Sequence, residues 1–232
     1  MKPVTGLQRY AIVLGVAAAV AAVLIGASQV GSGAAKTTAP AAQVAESLFA
    51  GIEQQGVMLG SPDAPVTLVE YADLQCPYCA QWSRETLPVL VDEYVATGKL
   101  RIVFHGLAFI GADSDKALRT AFAAGQDDHL WDVVDGLYAS QGAENAGWVS
   151  DELVRQIAAG VPGLDGEKLL SARWDDSVEP ELKHAADEAT RAEVQGTPAF
   201  QIGPTGGKLE VVHVDSLGPE GIVPAIDALL IG

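Results

Sequence analysis

Residues 66–79 read Val-Thr-Leu-Val-Glu-Tyr-Ala-Asp-Leu-Gln-Cys-Pro-Tyr-Cys, and this stretch decides the fold. Val66 to Tyr71 is apolar at nearly every position, the pattern of a strand buried on both faces. A helix is expected to begin at Pro77, since proline suits the first helical position, where a missing N–H costs nothing and a fixed φ forms the turn in advance. Cys76 and Cys79 fall at that junction and are the only cysteines among 232 residues. A strand feeding a helix that opens on Cys-x-x-Cys is the context of a dithiol redox site.

Three chemistries compete for such a pair. As a structural staple it is weak, because a bridge closing so short a loop supplies only about 2 kcal/mol in the loop-entropy picture. As half of a zinc site it lacks partners: no further cysteine exists, and His105, His129, His184 and His213 form no closely spaced pair. As a redox dithiol it agrees with its surroundings, since the thiolate is the nucleophile and a helix N-terminus lowers a cysteine pKa through its free amides and dipole. Cys76, at the N-cap, faces the amides of Tyr78 and Cys79 and is expected to be the accessible, attacking sulfur; Cys79, a turn deeper, resolves the mixed disulfide. Tyr78 is expected to face outward beside Pro77 as part of a partner-contacting surface.

Charge narrows the partners. Residues 1–45 hold Lys2, Arg9 and Lys36 and no acid, whereas residues 46–232 hold eleven basic against thirty acidic residues, a net of −19. Such a surface repels phosphate backbones and suits anionic lipid poorly, so nucleic-acid binding is excluded and membrane contact is confined to the N-terminal segment.

From Tyr10 to Ala35 there are 26 residues without a charge, preceded by Lys2 and Arg9, the pattern of an N-terminus retained in the cytoplasm with the following chain exported. The apolar run from Ala11 to Ala27 lies between a signal h-region and a spanning helix in length, so both an uncleaved anchor and a cleaved signal over residues 1–30 stay open. Residues 31–55 form a tether, rich in Gly, Ala, Ser, Thr and Pro over Gly31 to Ala42, with a short amphipathic helix over Val44 to Gln54. Residues 56–232 form one domain, on the extracytoplasmic face of the membrane or released from it.

Within that domain Val57 to Leu59 reads as a short strand, and Pro77 to Ala96 as a helix kinked at Pro88 and ended by Gly98. Leu100 to Phe104 is a second apolar strand, parallel to the first. His105 follows at its end, a candidate to tune the sulfurs. Residues 113–194 lose the strand pattern and read as five helices, near Ser114 to Gly125, Leu130 to Gln141, Asp151 to Ala159, Gly166 to Arg173 and Pro180 to Val194. Trp131, Tyr138, Trp148 and Trp174 are expected to fill the core of this insertion. Ala199 to Ile202 and Leu209 to Val214 then form an antiparallel hairpin, and a last helix runs from Pro219 to about Leu230.

The Cys-x-x-Cys after a strand, Glu70, the helical insertion and Thr197-Pro198 together resemble the thioredoxin superfamily, and specifically the DsbA-like extracytoplasmic thiol oxidoreductases. The resemblance implies an α/β thioredoxin fold with the insertion placed between the second strand and a cis-proline loop. It implies that Glu70 is a buried carboxylate under the disulfide, exchanging a proton with Cys79. It further implies that Pro198 is cis and that Thr197 offers main-chain hydrogen bonds to a substrate strand beside Cys76. One departure concerns the second strand, where Ile102-Val103-Phe104 offers no cation opposite Glu70, although some relatives carry a lysine there.

The expected activity is donation of the Cys76–Cys79 disulfide to reduced or unfolded exported proteins by a monomer that uses no metal and no cofactor. The resemblance implies reoxidation by a quinone-linked membrane partner of the DsbB or vitamin K epoxide reductase type. Two alternatives stay open. A reductase would use the same site in the other direction, and Cys-Pro-Tyr-Cys is also the glutaredoxin sequence; a tethered chaperone would use the scaffold without the chemistry.

Overall fold

The computed structural model describes residues 47–231. The expectations placed on residues 1–46, the membrane or signal segment and most of the tether, lie outside the described residues. Among the described residues no helix is long and apolar enough to cross a membrane.

A six-stranded mixed sheet has the order β1-β2-β4-β3-β5-β6. Its centre is β3, Val66–Asp73, with all eight residues buried, the polar Thr67, Glu70 and Asp73 among them. Parallel β4, Leu100–Leu107, flanks it on one side and antiparallel β5, Ala199–Pro204, on the other. The short strands β1, Gln54–Gln55, and β2, Met58–Leu59, extend the β4 side, while β6, Glu210–Val212, closes the β5 side as a hairpin. His105 lies within β4 rather than at its end, because pairing with β3 continues to Leu107.

The helix after the cysteines is interrupted. Helix α1, Pro77–Glu85, stops at Thr86, α2 covers Leu87–Leu90, and Val91–Val95 forms a π turn in which the Ala96 amide reaches back to the Val91 carbonyl at 2.8 Å. Pro88 lacks an N–H and its ring crowds the carbonyl a turn earlier, so the break precedes it. Thr86 meanwhile donates its hydroxyl to the Leu217 carbonyl at 2.5 Å. Gly98, at φ +71°, makes the turn into β4.

The insertion comprises α3, Ala112–Gly125, α4, Leu130–Ala139, α5, Asp151–Gly160, α6, Gly166–Ala172, and α7, Glu179–Arg191. Helix α8, Val223–Ile231, follows a short 3-10 turn at Pro219–Gly221. The larger core joins one sheet face to α1, α2 and the insertion, with Trp131 edge-on to Phe104 at 5.9 Å. A smaller apolar cluster on the other face packs Val69 and Tyr71 against Ala189 of α7.

Three expectations need correction. No helix forms over residues 47–54; a turn at residues 48–51 ends at Gly51, whose φ of +76° lies in the left-handed region. This stretch is packed rather than loose, with Phe49 in the core and Ser47 and Gln54 both hydrogen-bonded to the Asp132 carboxylate, so residues 47–55 belong to the folded domain and not to a tether. Trp131 and Tyr138 are core residues and Trp148 is half-buried, but Trp174 is 54% exposed. The guanidinium groups of Arg119 and Arg173 lie 5.5 and 5.4 Å from its ring, and cation–π contact holds it on the surface.

Candidate active site

The site is built at the end of β3. Asp73 is fully buried, and its carboxylate is saturated: one oxygen accepts from the Gln75 amide (2.8 Å) and the Ser114 hydroxyl (2.6 Å), the other from the amides of Phe109 (3.1 Å) and Ile110 (3.2 Å). Its carbonyl accepts the Cys76 amide at 2.9 Å. Gln75, also buried, donates to Ser114 and to the Asn145 side chain and accepts the Asn145 amide at 2.6 Å. Gln141, just beyond α4, donates its side-chain amide to the carbonyls of Leu74 (2.9 Å) and Cys76 (3.2 Å). The turn carrying the first cysteine is thus fixed from the strand below and from the insertion above.

Cys76 is the N-cap of α1, with extended φ and ψ, and Pro77 stands next, as the sequence predicts. Both cysteines are free thiols. Cys76 is 5% exposed and Cys79 fully buried, so the first is the more accessible, though only its edge reaches solvent. The Cys76 thiol lies 3.3 Å from the carbonyl of Thr197, which precedes the cis Thr197–Pro198 peptide.

The two thiols differ sharply in acidity. Cys76 is lowered to about 6, first by a hydrogen bond from the Cys79 thiol and then by Thr197 and the amides of Cys79 and Tyr78, against the opposing effect of burial. Cys79 is pushed well above its ordinary value by burial, and further by its bond to Cys76 and by the negative charges of Cys76 and Glu70. One sulfur is therefore the thiolate at neutral pH and the other holds the proton.

Glu70 is buried, has one carboxyl oxygen without a partner, and is raised to about 8 by desolvation. It pairs across the sheet with Phe104 and Phe200 on the face that packs against α1, where Trp82 meets Phe200 at 5.0 Å. Among the described residues no cation offsets its burial, consistent with the apolar residues at 102–104. Tyr138 is buried nearby and held far above the usual phenol range, first by burial and then by the charge of Cys79.

His105 does not join the site. It pairs with Tyr71, and alternation along the strand puts that pair on the sheet face opposite Glu70, where its ring lies 5.3 Å from Tyr71 and 5.6 Å from His184. Burial, then His184, lowers it to about 4. Pro77 and Tyr78 are exposed, Tyr78 at 62%, while Thr197 and Pro198 are half-buried and line a groove of about 440 Å³ shared with Tyr71, Val194, Val212 and Val214. Among the described residues no group of three or more His, Cys, Asp or Glu side chains is placed to hold a metal.

Sequence reasoning misses Asp73, Gln75, Gln141 and Asn145. The available signal is polarity: Asp73 and Gln75 interrupt a buried segment and must be hydrogen-bonded there. Their partners lie up to 70 residues away in the insertion, beyond any local pattern.

Residues 53–220 match the family model described as thioredoxin. A probable disulfide bond formation protein D from Bacillus anthracis is 33% identical over 173 residues, which are 73% of this chain and 77% of that protein. Among solved structures, oxidised BdbD from Bacillus subtilis aligns with a TM-score of 0.66 at 22% identity, covering 78% of this chain and 98% of that one. The alpha-DsbA1 of Wolbachia pipientis aligns with a TM-score of 0.64 at 22% identity, covering 75% and 89%. These two structures show the fold.

Proposed function

Since the chain belongs to the thioredoxin family and is a disulfide oxidoreductase, we propose that it works as an oxidant outside the cytoplasm, passing the Cys76–Cys79 disulfide to reduced exported proteins. The observation that carries this reading is the split acidity of the two thiols. A stabilised Cys76 thiolate favours the reduced enzyme, and what favours the reduced enzyme drives the disulfide onto the client.

A client thiolate attacks the Cys76 sulfur of the oxidised enzyme. The S–S bond breaks toward Cys79, which leaves as a thiolate and takes up a proton; Glu70, raised to about 8 and near enough for its charge to act on Cys79, is the group to supply it. A second client thiolate then attacks the client sulfur of the mixed disulfide, a client S–S bond forms, and Cys76 departs as the stabilised thiolate. Two electrons have moved from client to enzyme. Thr197 offers main-chain pairing to the client strand, and the groove beyond Pro198 receives the residues that follow; backbone pairing suits varied clients because it does not read side chains. Pro77 and Tyr78 are the exposed surface the client covers.

The enzyme acts as a monomer held near the membrane by its N-terminal segment. Its electrons pass to a quinone-linked membrane partner of the DsbB or vitamin K epoxide reductase type. The test is trapping: Cys79→Ala should accumulate client-linked mixed disulfides through Cys76 on a non-reducing gel, and Cys76→Ser should abolish oxidation of a reduced client. An empty gel together with undiminished oxidation by Cys76→Ser would contradict the reading and favour a binding module.

A further inference from the structure

Three residues other than glycine take a positive φ among those described: Asp128, Asn145 and Glu193, at +60°, +55° and +53°. Aspartate and asparagine enter the left-handed region readily because their short polar side chains bond locally, an advantage that glutamate lacks. Glu193 stands just beyond α7, where the Val194 amide donates to the Ala189 carbonyl at 3.0 Å and the Glu193 amide to the Thr190 carbonyl at 3.2 Å. These two bonds close a Schellman motif, with Glu193 at the position that glycine usually fills. A second local rule is broken at the same place, since the C-terminal end of a helix carries partial negative charge and disfavours a carboxylate. Local structure thus selects against glutamate at residue 193. Residues that break local rules without a local gain concentrate where a protein binds or reacts.

The gain lies in what Glu193 faces. It lines the groove of about 440 Å³ that runs past Thr197 and Pro198, and the Thr197 carbonyl lies 3.3 Å from the Cys76 sulfur. Among the lining residues it is the only Asp, Glu, Lys or Arg, beside apolar neighbours such as Val194, Val212 and Val214. The side chain is exposed, and the basic residues close to it in the chain are engaged elsewhere, Arg191 with Glu188 and Lys208 with Glu210. Gln195 donates to the backbone carbonyl of Glu193 at 3.1 Å and leaves the carboxylate free. A carboxylate on an apolar groove, with no cation of its own among the described residues, is complementary to a cation brought by a partner.

We infer that Glu193 is a specificity-determining residue, whose carboxylate receives a lysine or arginine side chain flanking the reacting cysteine of the client. The inference rests on the proposed reaction at Cys76. Whatever reacts there is a polypeptide bearing a thiol, and the cations a polypeptide carries are lysine and arginine. Their methylene stems can lie along the valines of the groove while the charged head meets the carboxylate. The net of −19 over residues 46–232 acts in the same sense at longer range, but on any basic client and wherever in the client the charge stands. Glu193 adds a preference for place. Main-chain pairing at Thr197 accepts any sequence, and the carboxylate ranks those sequences by what stands next to the cysteine.

The test uses three reduced peptides of one composition, each with one cysteine and one lysine, oxidised by the disulfide form of the enzyme. The lysine stands two residues before the cysteine, two residues after it, or at the far end, so the field of the whole domain acts alike on all three. The wild-type protein should favour one flanked peptide over the distal one in kcat/KM by roughly two- to fivefold at low ionic strength, and added salt should erase the difference. Glu193→Gln keeps the size and removes the charge, and should bring the ratio to about one; Glu193→Asp should keep part of it. Equal rates for all three peptides with the wild-type protein, or a preference that survives Glu193→Gln, would overturn the inference while leaving the oxidase reading standing. Oxidation of none of the three by the wild-type protein would sink the underlying reading and the inference with it.

Discussion

Glu70 shows how a single side chain couples stability to the reaction. An ordinary carboxyl has a pKa of 4.5, and burial without a partner raises this one to about 8. Between those values the unfolded chain releases a proton that the folded protein keeps, so Glu70 lowers stability progressively as pH rises from 4.5 to 8, and its titration adds no cost below that window. The full effect is on the order of 4 kcal/mol. Cys76 has the opposite sign: its lowered pKa stabilises the reduced protein above the ordinary thiol range, an advantage lost as pH falls toward 6. Urea unfolding of reduced Glu70→Gln should therefore match wild type near pH 4 and exceed it by a few kcal/mol near pH 8, Cys76 being common to both proteins. A difference independent of pH would mean that Glu70 is not held neutral. At this scale the sequence is legible where its cues are local: Cys76, Cys79 and Pro77 stand where their neighbours imply, while the cis Thr197–Pro198 bond is implied only by the family resemblance. His105 misleads because it lies within β4, one residue past Phe104, and alternation along the strand turns its ring to the face away from Glu70.

Among the elements, α1 is short because Pro88 and Thr86 break it, and it needs support from outside the strand it follows. The support comes from the residues just after α4, through Gln141 on the carbonyls of Leu74 and Cys76. Gln141→Leu keeps the bulk and removes the donor, leaving the Leu74 carbonyl unpaired and the Cys76 carbonyl with only the Ala80 amide at 3.2 Å. The expected cost is about 1–3 kcal/mol of stability. Because the same bonds orient the N-cap, the midpoint of Cys76 thiolate formation, followed by ultraviolet absorbance, should also rise from about 6. An unchanged midpoint would make Gln141 a purely structural clamp. Proline marks the break near residue 88 in the sequence, but the π turn at Val91–Val95 has no local signature. The edge strand β1 is two residues long, too short for alternation to reveal, whereas β6 forms inside the strand expected over Leu209 to Val214.

Across the whole molecule, the five insertion helices fall close to their expected bounds because each carries an apolar face spaced for a helix and punctuated by Gly, Asp, Ser or Pro. What escapes is how the insertion is used. It closes over the strand end and supplies Ser114, Gln141 and Asn145, contacts 39 to 70 residues distant from the groups they hold. Trp174 escapes for a related reason, since one of the two arginines over its ring, Arg119, comes from α3, 55 residues earlier, although Arg173 is its chain neighbour. The assembly as a whole turns one sulfur into a stable anion and keeps its partner protonated, which is the physical basis claimed for oxidising power. The measurement that bears on this most directly is the reduction potential of the Cys76–Cys79 pair in equilibrium with glutathione. A value well above that of thioredoxin, about −270 mV, and toward that of DsbA, about −120 mV, is predicted; a value near thioredoxin's would contradict the account.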